Sequence, residues 1–559
     1  MKKQIIWKEL LFLSPYLKPY KIKTFIYLII IIGLSILALP LPALNGACMD
    51  MLTAQNQYPK FFFFIFLILF INISKFMISK SIKKNVGRLG NHIVKDLKMD
   101  LILKSFYLPM DYIDSINGGY LFSRINECEN IRRLFSTNLV TLLLGILDLM
   151  LSFIAIIFIS TKMTMITLSF IPLLYFLIKY NSEKLTQATT VVAEQNAKVT
   201  STIVNILNSI KFIKILNLYH FQTQNTNREL EQLLNTQNEQ VKWNTNYTES
   251  IQLISSLHNL LILAVAGYFI FTGKMSIGLY ITYIGYSGKL FGNVLSFSSF
   301  SVLINPVIVS IKRIKEFYHI DQEKNGPDKC ERSVEKIRID HISFHYGSSK
   351  NKYILNNLTF TISKNKPVLL IGNNGSGKTT LLSLLLGLYD VQKGNITIGN
   401  ININSLNKED LRNQISYMSQ DTGIFEGSLE ENLLIGSKDS INIIQKLKEL
   451  RLENMFEKLG LNLNHPITHN GTNLSGGQKQ IITFLRVALQ NRQIVILDEP
   501  TNSLDVSSKY DLIQFIKEHC IAKKILIIVT HDEKLAADFE CFETQTIKLT
   551  ESSENTSYP

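Results

Sequence analysis

Residues 367–380 read Pro367-Val-Leu-Leu-Ile-Gly-Asn-Asn-Gly-Ser-Gly-Lys-Thr-Thr380, and their surroundings decide the fold of the second half of the chain. An apolar run, Val368 to Ile371, enters a turn made of Gly372, Asn373, Asn374, Gly375, Ser376 and Gly377. It leaves through Lys378, Thr379 and Thr380 into a leucine-rich segment, Leu381 to Leu388. Strand, glycine turn and helix in that order make a phosphate-binding loop: successive backbone N–H groups converge on an anion at the positive end of a helix. Lys378 then reaches the β and γ phosphates of a nucleotide, and the Thr379 hydroxyl is placed for Mg²⁺. Read alone, the run is also a glycine turn between a strand and a core helix, so its context has to decide.

That context lies downstream. Ile494-Val-Ile-Leu-Asp-Glu499 is an apolar strand ending in two carboxylates. Asp498 is a candidate Mg²⁺ ligand, and Glu499 a candidate base or orienting group for an attacking water. Alone, the pair is equally a solvated strand end. Leu474-Ser-Gly-Gly-Gln478 precedes a helical pattern from Gln480 to Leu489, and by itself is a loop and a helix start. β-type runs over 336–344, 368–372, 494–498 and 525–530 alternate with helical patterns, which predicts an α/β domain with a largely parallel sheet. Before it, the polar stretch Asp321 to Ser333 contains Gly326-Pro327 and reads as a linker. The predicted division is 1–320, a linker at 321–334, and an α/β cassette at 335–559.

The first half has a different chemistry. A membrane span needs about 20 apolar residues, and six stretches qualify: 22–44, 60–79, 139–160, 163–180, 251–272 and 276–304. Residues 1–330 carry 33 Lys and Arg against 19 Asp and Glu, whereas residues 331–559 carry 25 against 26, so the net charge of +13 belongs to the first half. These basic residues sit between apolar runs rather than on a soluble face with interleaved aromatics, which argues against nucleic acid and for a multi-pass protein of the lipid bilayer. The connections near 80–138 and 181–250 are long and basic, and both are expected inside the cell with the Lys-rich N-terminus. Six spans then return residue 305 onward to the cytoplasm, where ATP is available. Both long connections show helical periodicity broken only at Pro109 and Gly118-Gly119, and read as helical extensions of the spans. The five cysteines are scattered and suggest neither a disulfide framework nor a zinc site.

Taken together, the phosphate loop, Asp498-Glu499 and Leu474-Ser-Gly-Gly-Gln478 resemble the ABC transporter family. Other residues fall where that family has them: Gln420 after the run Ile415 to Met418, Ser503-Leu504-Asp505 past the two carboxylates, and His531 after Ile525 to Thr530. Tyr346, 26 residues before Gly372, matches the aromatic that stacks on adenine. With the six spans and Ile424-Phe-Glu-Gly-Ser-Leu-Glu-Glu-Asn432, the resemblance is to exporters of the fused half-transporter type and covers nearly the whole chain. It implies an all-α six-helix transmembrane domain followed by an α/β P-loop cassette, with ATP and Mg²⁺ as ligands.

The implied catalytic set is Glu499, His531, Gln420 and Lys378, with Thr379, Gln420 and Asp498 on Mg²⁺. Leu474, Ser475, Gly476, Gly477, Gln478 and Asp505 are supplied to the nucleotide by a second copy of the chain. One phosphate loop and one Leu-Ser-Gly-Gly-Gln per chain make a dimer necessary; a homodimer is expected, with a heterodimer as the alternative. Coupling segments are implied near Leu108 to Ile116 and Ile213 to Phe221. The family's acid before the signature motif is replaced by His469, and its Gly-Glu before the loop strand by Asn365-Lys366-Pro367.

The expected activity is ATP-driven export of an amphipathic peptide, lipid or drug from a cell membrane. An importer on the same fold and an ATP-gated channel or regulator are the alternatives. Asp148 and Lys289 fall near mid-bilayer, where an ionisable group usually faces a polar cavity or a partner; with Tyr283 and Tyr286 they are the candidate substrate-cavity residues, and the two charges are candidates for a pair.

Overall fold

The computed structural model describes residues 9–53, 58–116, 118–135, 137–331, 333–347, 353–373, 375–421, 423–437, 442–521, 523–531, 539 and 544–549. The chain divides into two units, Met1–Phe106 with Gly119–Ile320, and Tyr107–Gly118 with Asp321–Pro559.

The first unit is helical: α1 (Lys21–Ala38), α2 (Leu41–Thr53), α3 (Tyr58–Phe106), then, past α4 (Met110–Ser115) of the other unit, α5 (Gly118–Asn126), α6 (Cys128–Leu134), α7 (Thr137–Ile159), α8 (Thr161–Asn208), α9 (Ile210–Ile215), α10 (Tyr219–Phe271) and α11 (Ile277–Tyr318). Five stretches among the described residues, Leu11–Thr53, Tyr58–Phe106, Tyr120–Ile159, Thr161–Asn208 and Tyr219–Phe271, are long and apolar enough to cross a membrane. Large apolar side chains on α3, Phe62, Phe63, Phe66, Phe70 and Ile73 among them, are exposed on the isolated chain, as a lipid-facing surface requires.

The helices differ from the predicted spans in two ways. The first span, 22–44, is not one helix: α1 ends at Ala38 and α2 starts at Leu41, because Pro40 has no N–H to continue the ladder. The other helices outrun their apolar cores. At about 1.5 Å per residue, the 49 residues of α3 reach well past the ~30 Å of hydrocarbon. The breaks in the first long connection come at Pro109, which caps α4, and at Gly118, which opens α5.

Specific polar contacts order these helices. Ser276 caps α11 by accepting from Leu279 N, and Asp50 of α2 accepts from Gly278 N at 2.6 Å and Ser276 Oγ at 2.7 Å. α2 and α11 approach so closely there that a Cβ on Gly46 would lie 2.2 Å from Gly278 O. Glu127, between α5 and α6, is buried at 8% exposure; it accepts from Arg313 Nη1 at 2.7 Å, Asn130 Nδ2 at 3.3 Å and the Ser310 hydroxyl.

The second unit is an α/β domain. A parallel five-stranded sheet runs in the order β11-β3-β10-β9-β6, with β3 Val368–Gly372, β6 Ile415–Met418, β9 Ile494–Asp498, β10 Ile525–Val529 and β11 Gln545–Leu549. An antiparallel sheet runs β2-β1-β4-β5, with β1 Lys336–Phe344, β2 Leu355–Ser363, β4 Lys393–Ile398 and β5 Ile401–Asn402; β7 (Gly427–Ser428) pairs with β8 (Pro466–Ile467). β9 and β10 are buried throughout, as strands covered on both faces must be.

The segment read as a linker is instead tied down within this unit. Gly326 N donates to Leu406 O, Asp328 N to Ser405 O and Val334 N to Gln493 Oε1. Gly326 is needed because a Cβ there would sit 2.0 Å from Ser405 O.

Glu127→Ala should lower the thermal unfolding temperature of the detergent-solubilised protein, a loss of about 3 kcal/mol for leaving buried partners unpaired. Arg313→Ala should cost less, since Glu127 keeps Ser310 and Asn130. Light-scattering or intrinsic-fluorescence melts read both, and the reverse order would contradict the network.

Candidate functional site

Parallel strands release all their carboxyl ends on one edge of the sheet, which is where ligands of open α/β sheets bind. Here β10 lies between β3 and β9, with Val529 in register with Leu370 on one side and Asp498 on the other. β6 flanks β9, with Met418 opposite Leu497. The residues just past these strand ends are Gly372 to Lys378, His531, Glu499 and Gln420. The ladder therefore gathers four positions far apart in sequence.

The loop after β3 turns through Gly375 and Gly377, both at positive φ, and Gly377 caps α12 (Lys378–Leu385) in the left-handed region. A side chain on Gly377 would also strike Leu355 at 2.7 Å. The Lys378 ammonium lies across the loop, donating to Gly372 O at 2.6 Å and Asn373 O at 3.0 Å. Thr379 is exposed, Ser376 and Thr380 are buried, and Asn374 lies outside the described residues. Tyr346 donates to Thr380 Oγ1 at 3.2 Å.

At the end of β9, Asp498 and Glu499 are both buried, at 4% and 6% exposure. Burial, then the neighbouring Glu499 charge, pushes the Asp498 carboxyl up to about 6, against the Tyr417 hydroxyl and the Lys378 ammonium. Glu499 has a positive φ, 51°, and its N–H donates to Val529 O, which turns its carboxylate out of the strand direction. Its Oε1 meets His531 Nδ1 at 2.7 Å, while Oε2 is buried with no partner. One carboxylate oxygen is thus held and the other keeps its lone pairs. Gln420 is exposed beyond β6.

Ser475 caps α13 (Gly476–Gln490) in a reciprocal box: its Oγ accepts from Gln478 N, and Gln478 Oε1 accepts from Ser475 N. Gly476 and Gly477 form the first turn, and Leu474 packs into the core beneath. Two positions on, Gln480 donates to Glu499 O at 3.0 Å. Asp505 caps α14 (Val506–Phe515), accepting from Ser508 N and Ser507 Oγ; these hydrogen bonds hold its carboxyl down at about 2. His469 is exposed in a short turn.

Of the candidate cavity residues of the helical unit, Tyr286 borders a cleft and the other three are engaged in contacts between helices. Tyr283 is fully buried and hydrogen-bonds Thr167 Oγ1 at 2.7 Å, so it packs helices rather than lining a space. Tyr286 donates to Leu39 O and borders a cleft of about 380 Å³ with Gly46, Asp50 and Thr282. Asp148 and Lys289 do not pair. Each is taken up by the last turns of α1, Asp148 accepting from Ser35 Oγ at 2.6 Å and Lys289 donating to Ala38 O at 3.0 Å.

Two family models match, one described as ABC transporter transmembrane region over residues 24–294 and one as ABC transporter over residues 355–502. The chain belongs to the ABC transporter family. Among similar proteins, YgaD of Bacillus subtilis (strain 168), provisionally named a multidrug export ATP-binding/permease protein, is 25% identical over 92% of this chain and 91% of its own length. The transport/processing ATP-binding protein ComA of Streptococcus pneumoniae is 26% identical over 79% of this chain, which spans 62% of ComA. The lactococcin-G-processing and transport ATP-binding protein LagD of Lactococcus lactis is 26% identical over 77% of the chain and 61% of its own length. This ABC transporter is an ATP-hydrolysing transport ATPase working in export.

Three residues around the transporter's site carry no motif and escape a reading of the sequence. Tyr417 touches Asp498 only because β6 and β9 are neighbours. Gln480 reaches Glu499 from a helix start. Tyr389, beside Tyr346, is an aromatic just after a leucine-rich helix.

Because the folded pKa of Asp498 lies above the ordinary 3.8, its ionised form opposes folding at neutral pH, and that cost fades as pH falls through about 6. Asp498→Asn should therefore stabilise the nucleotide-free protein at pH 7.5 by on the order of 2 kcal/mol, read as a higher unfolding temperature, with the advantage shrinking toward pH 4.5. A variant no more stable than wild type at pH 7.5 would contradict the buried, unneutralised carboxylate.

Proposed function

We propose that two copies of this chain form one exporter, that ATP and Mg²⁺ are held at the strand-end site, and that the cargo is amphipathic: a peptide, a lipid or a hydrophobic drug. The observation that carries this reading is Glu499, buried and gripped through one oxygen by His531, beside Asp498 and a glycine loop opening a helix. A carboxylate so oriented suits the activation of a water for attack on a phosphoryl group.

In this reading the N–H groups from Gly372 to Thr380 and the Lys378 ammonium bind the phosphates, and Tyr346 stacks on the base. Thr379, Gln420 and Asp498 would hold Mg²⁺, which when bound neutralises charge on the phosphates. The acid chemistry of Asp498 fits, since a nearby cation favours its ionised form. Glu499 takes or orients the water's proton, and His531 keeps it aimed.

Leu474 to Gln478 and Asp505 of a partner subunit would close the site; the α13 N-terminus offers N–H groups suited to a γ-phosphate. A second copy is favoured by the single set of these elements per chain, and by Phe212, Ile215, Leu216 and Phe221 around α9, which are exposed. Segments 108–116 and 213–221 would carry nucleotide-driven closure to the membrane helices. The sixth span, within α11, completes a topology with the cassette in the cytoplasm of a cell, supported by the basic connections. Names of relatives given to multidrug export, to transport/processing and to lactococcin-G processing and transport support an amphipathic cargo.

Glu499→Gln keeps the shape and removes the base. Purified from this gene alone, it should bind ATP with near wild-type affinity, lose at least about 100-fold in turnover, and give the mass of two chains in native mass spectrometry. Wild-type turnover would overturn the role of Glu499, and a monomer would overturn the homodimer.

A further inference from the structure

The nucleotide half of the site ends at an aromatic cluster of Phe344, Tyr346 and Tyr389. Tyr346 stands nearly perpendicular to Phe344, ring centroids 5.1 Å apart, and to Tyr389, 5.2 Å apart; Phe344 and Tyr389 also touch, at 5.6 Å. The Tyr346 ring is thus held by two neighbouring rings and by its hydroxyl on Thr380 of the phosphate loop. Tyr389 is buried at 7% exposure, and its hydroxyl donates to the Asp114 carboxylate.

Asp114 belongs to α4, the short helix at the tip of the first long connection, which divides off with the cassette residues rather than with the helices it joins. Leu108 is buried, Met110 packs against the sheet core, and Tyr107 O accepts from Glu323 N at 2.7 Å. Of the polar groups on its surface, Asp114 holds the cassette through Tyr389. Asp111 is exposed, yet partial desolvation and then the neighbouring Asp114 and Asp390 push its carboxyl up, so acid repels acid around this hydroxyl. Tyr389 keeps its proton: burial first, then the bond to Asp114, hold its pKa above the ordinary tyrosine value. It is therefore a permanent donor.

We propose that Tyr389 is a positioning residue that links occupancy of the nucleotide site to the seating of α4, through its ring on Tyr346 and its hydroxyl on Asp114. The link rests on the reading of Tyr346 as the base-stacking residue. A base settling on Tyr346 presses on a ring in contact with Tyr389, and a shift of Tyr389 strains the hydrogen bond that its hydroxyl makes to Asp114 of α4. Phe106, the last residue of α3, is one peptide bond from Tyr107, so a change in the seating of this segment acts directly on a long helix. Tyr389 touches no reacting atom in this scheme.

Hydrogen exchange read by mass spectrometry on the full-length protein, with and without ATP, tests it at two segments, Tyr107–Ser115 and the loop 372–380. In wild type, ATP should slow exchange in both. Tyr389→Phe keeps the ring and deletes the donor, so it should retain the slowing at 372–380 and lose about tenfold of that at Tyr107–Ser115, the size of one charge-assisted hydrogen bond. Asp114→Ala should do the same, and Asp114→Asn, which keeps an acceptor, should return the wild-type pattern. Retention of both effects in Tyr389→Phe or Asp114→Ala would overturn the link and leave the nucleotide site standing. A wild-type protein in which ATP slows nothing at 372–380 would overturn the site and the link together.

Discussion

The five-stranded parallel ladder is the constraint on which the cassette depends, because only a parallel arrangement delivers residues 372–378, 420, 498–499 and 531 to the same edge. The order β11-β3-β10-β9-β6 matters as much as the direction: inserting β10 between β3 and β9 puts His531 beside Glu499, and flanking β9 with β6 puts Tyr417 on Asp498. Strands buried on both faces bring no polar groups along their length, so all the chemistry is forced to the ends. There, two adjacent carboxylates sit where solvent cannot fully screen them. The folded protein keeps Asp498 as a poor acid in the absence of a cation, a cost that makes the same position attractive to one.

Backbone conformation serves the same end. Glu499 is in the left-handed region, which few of the described non-glycine residues adopt, and the turn frees its side chain from the strand to meet His531. Ser475 and Asp505 make the opposite use of polar side chains, capping helices from their first turns. A capping serine is already rigid and close to free N–H groups, so the structural role and the one proposed across a dimer need no rearrangement to coexist.

How much of this was legible in the sequence depends on whether a feature is local. The phosphate loop, Asp498-Glu499 and Leu474-Ser-Gly-Gly-Gln478 each combine residue types that a short segment needs for its own geometry, and the α/β and helical classes follow from hydrophobic period. Tyr417, Gln480 and Tyr389 act across the sheet or between elements, and single-chain spacing says nothing about them. The bend at Pro40 was readable from the proline, but an unbroken apolar run outweighed it. Asp148 and Lys289 show the limit of the mid-bilayer rule: a buried charge needs a partner, and the rule does not say that the partner is the other charge rather than a serine and a carbonyl on α1. The supposed linker failed for a related reason, since Gly326 marks a close approach of two backbones as readily as a flexible joint.

The unbroken 49 residues of α3 have a mechanical meaning. Each residue's amide is bonded four along, so the rod resists bending far better than a jointed chain and behaves as a stiff arm about 70 Å long. Tilting such an arm by about 5° sweeps its far end through about 6 Å, more than the width of a side chain. Angstrom-scale rearrangement at one end of α3 is therefore magnified at the other, with leverage supplied by length alone.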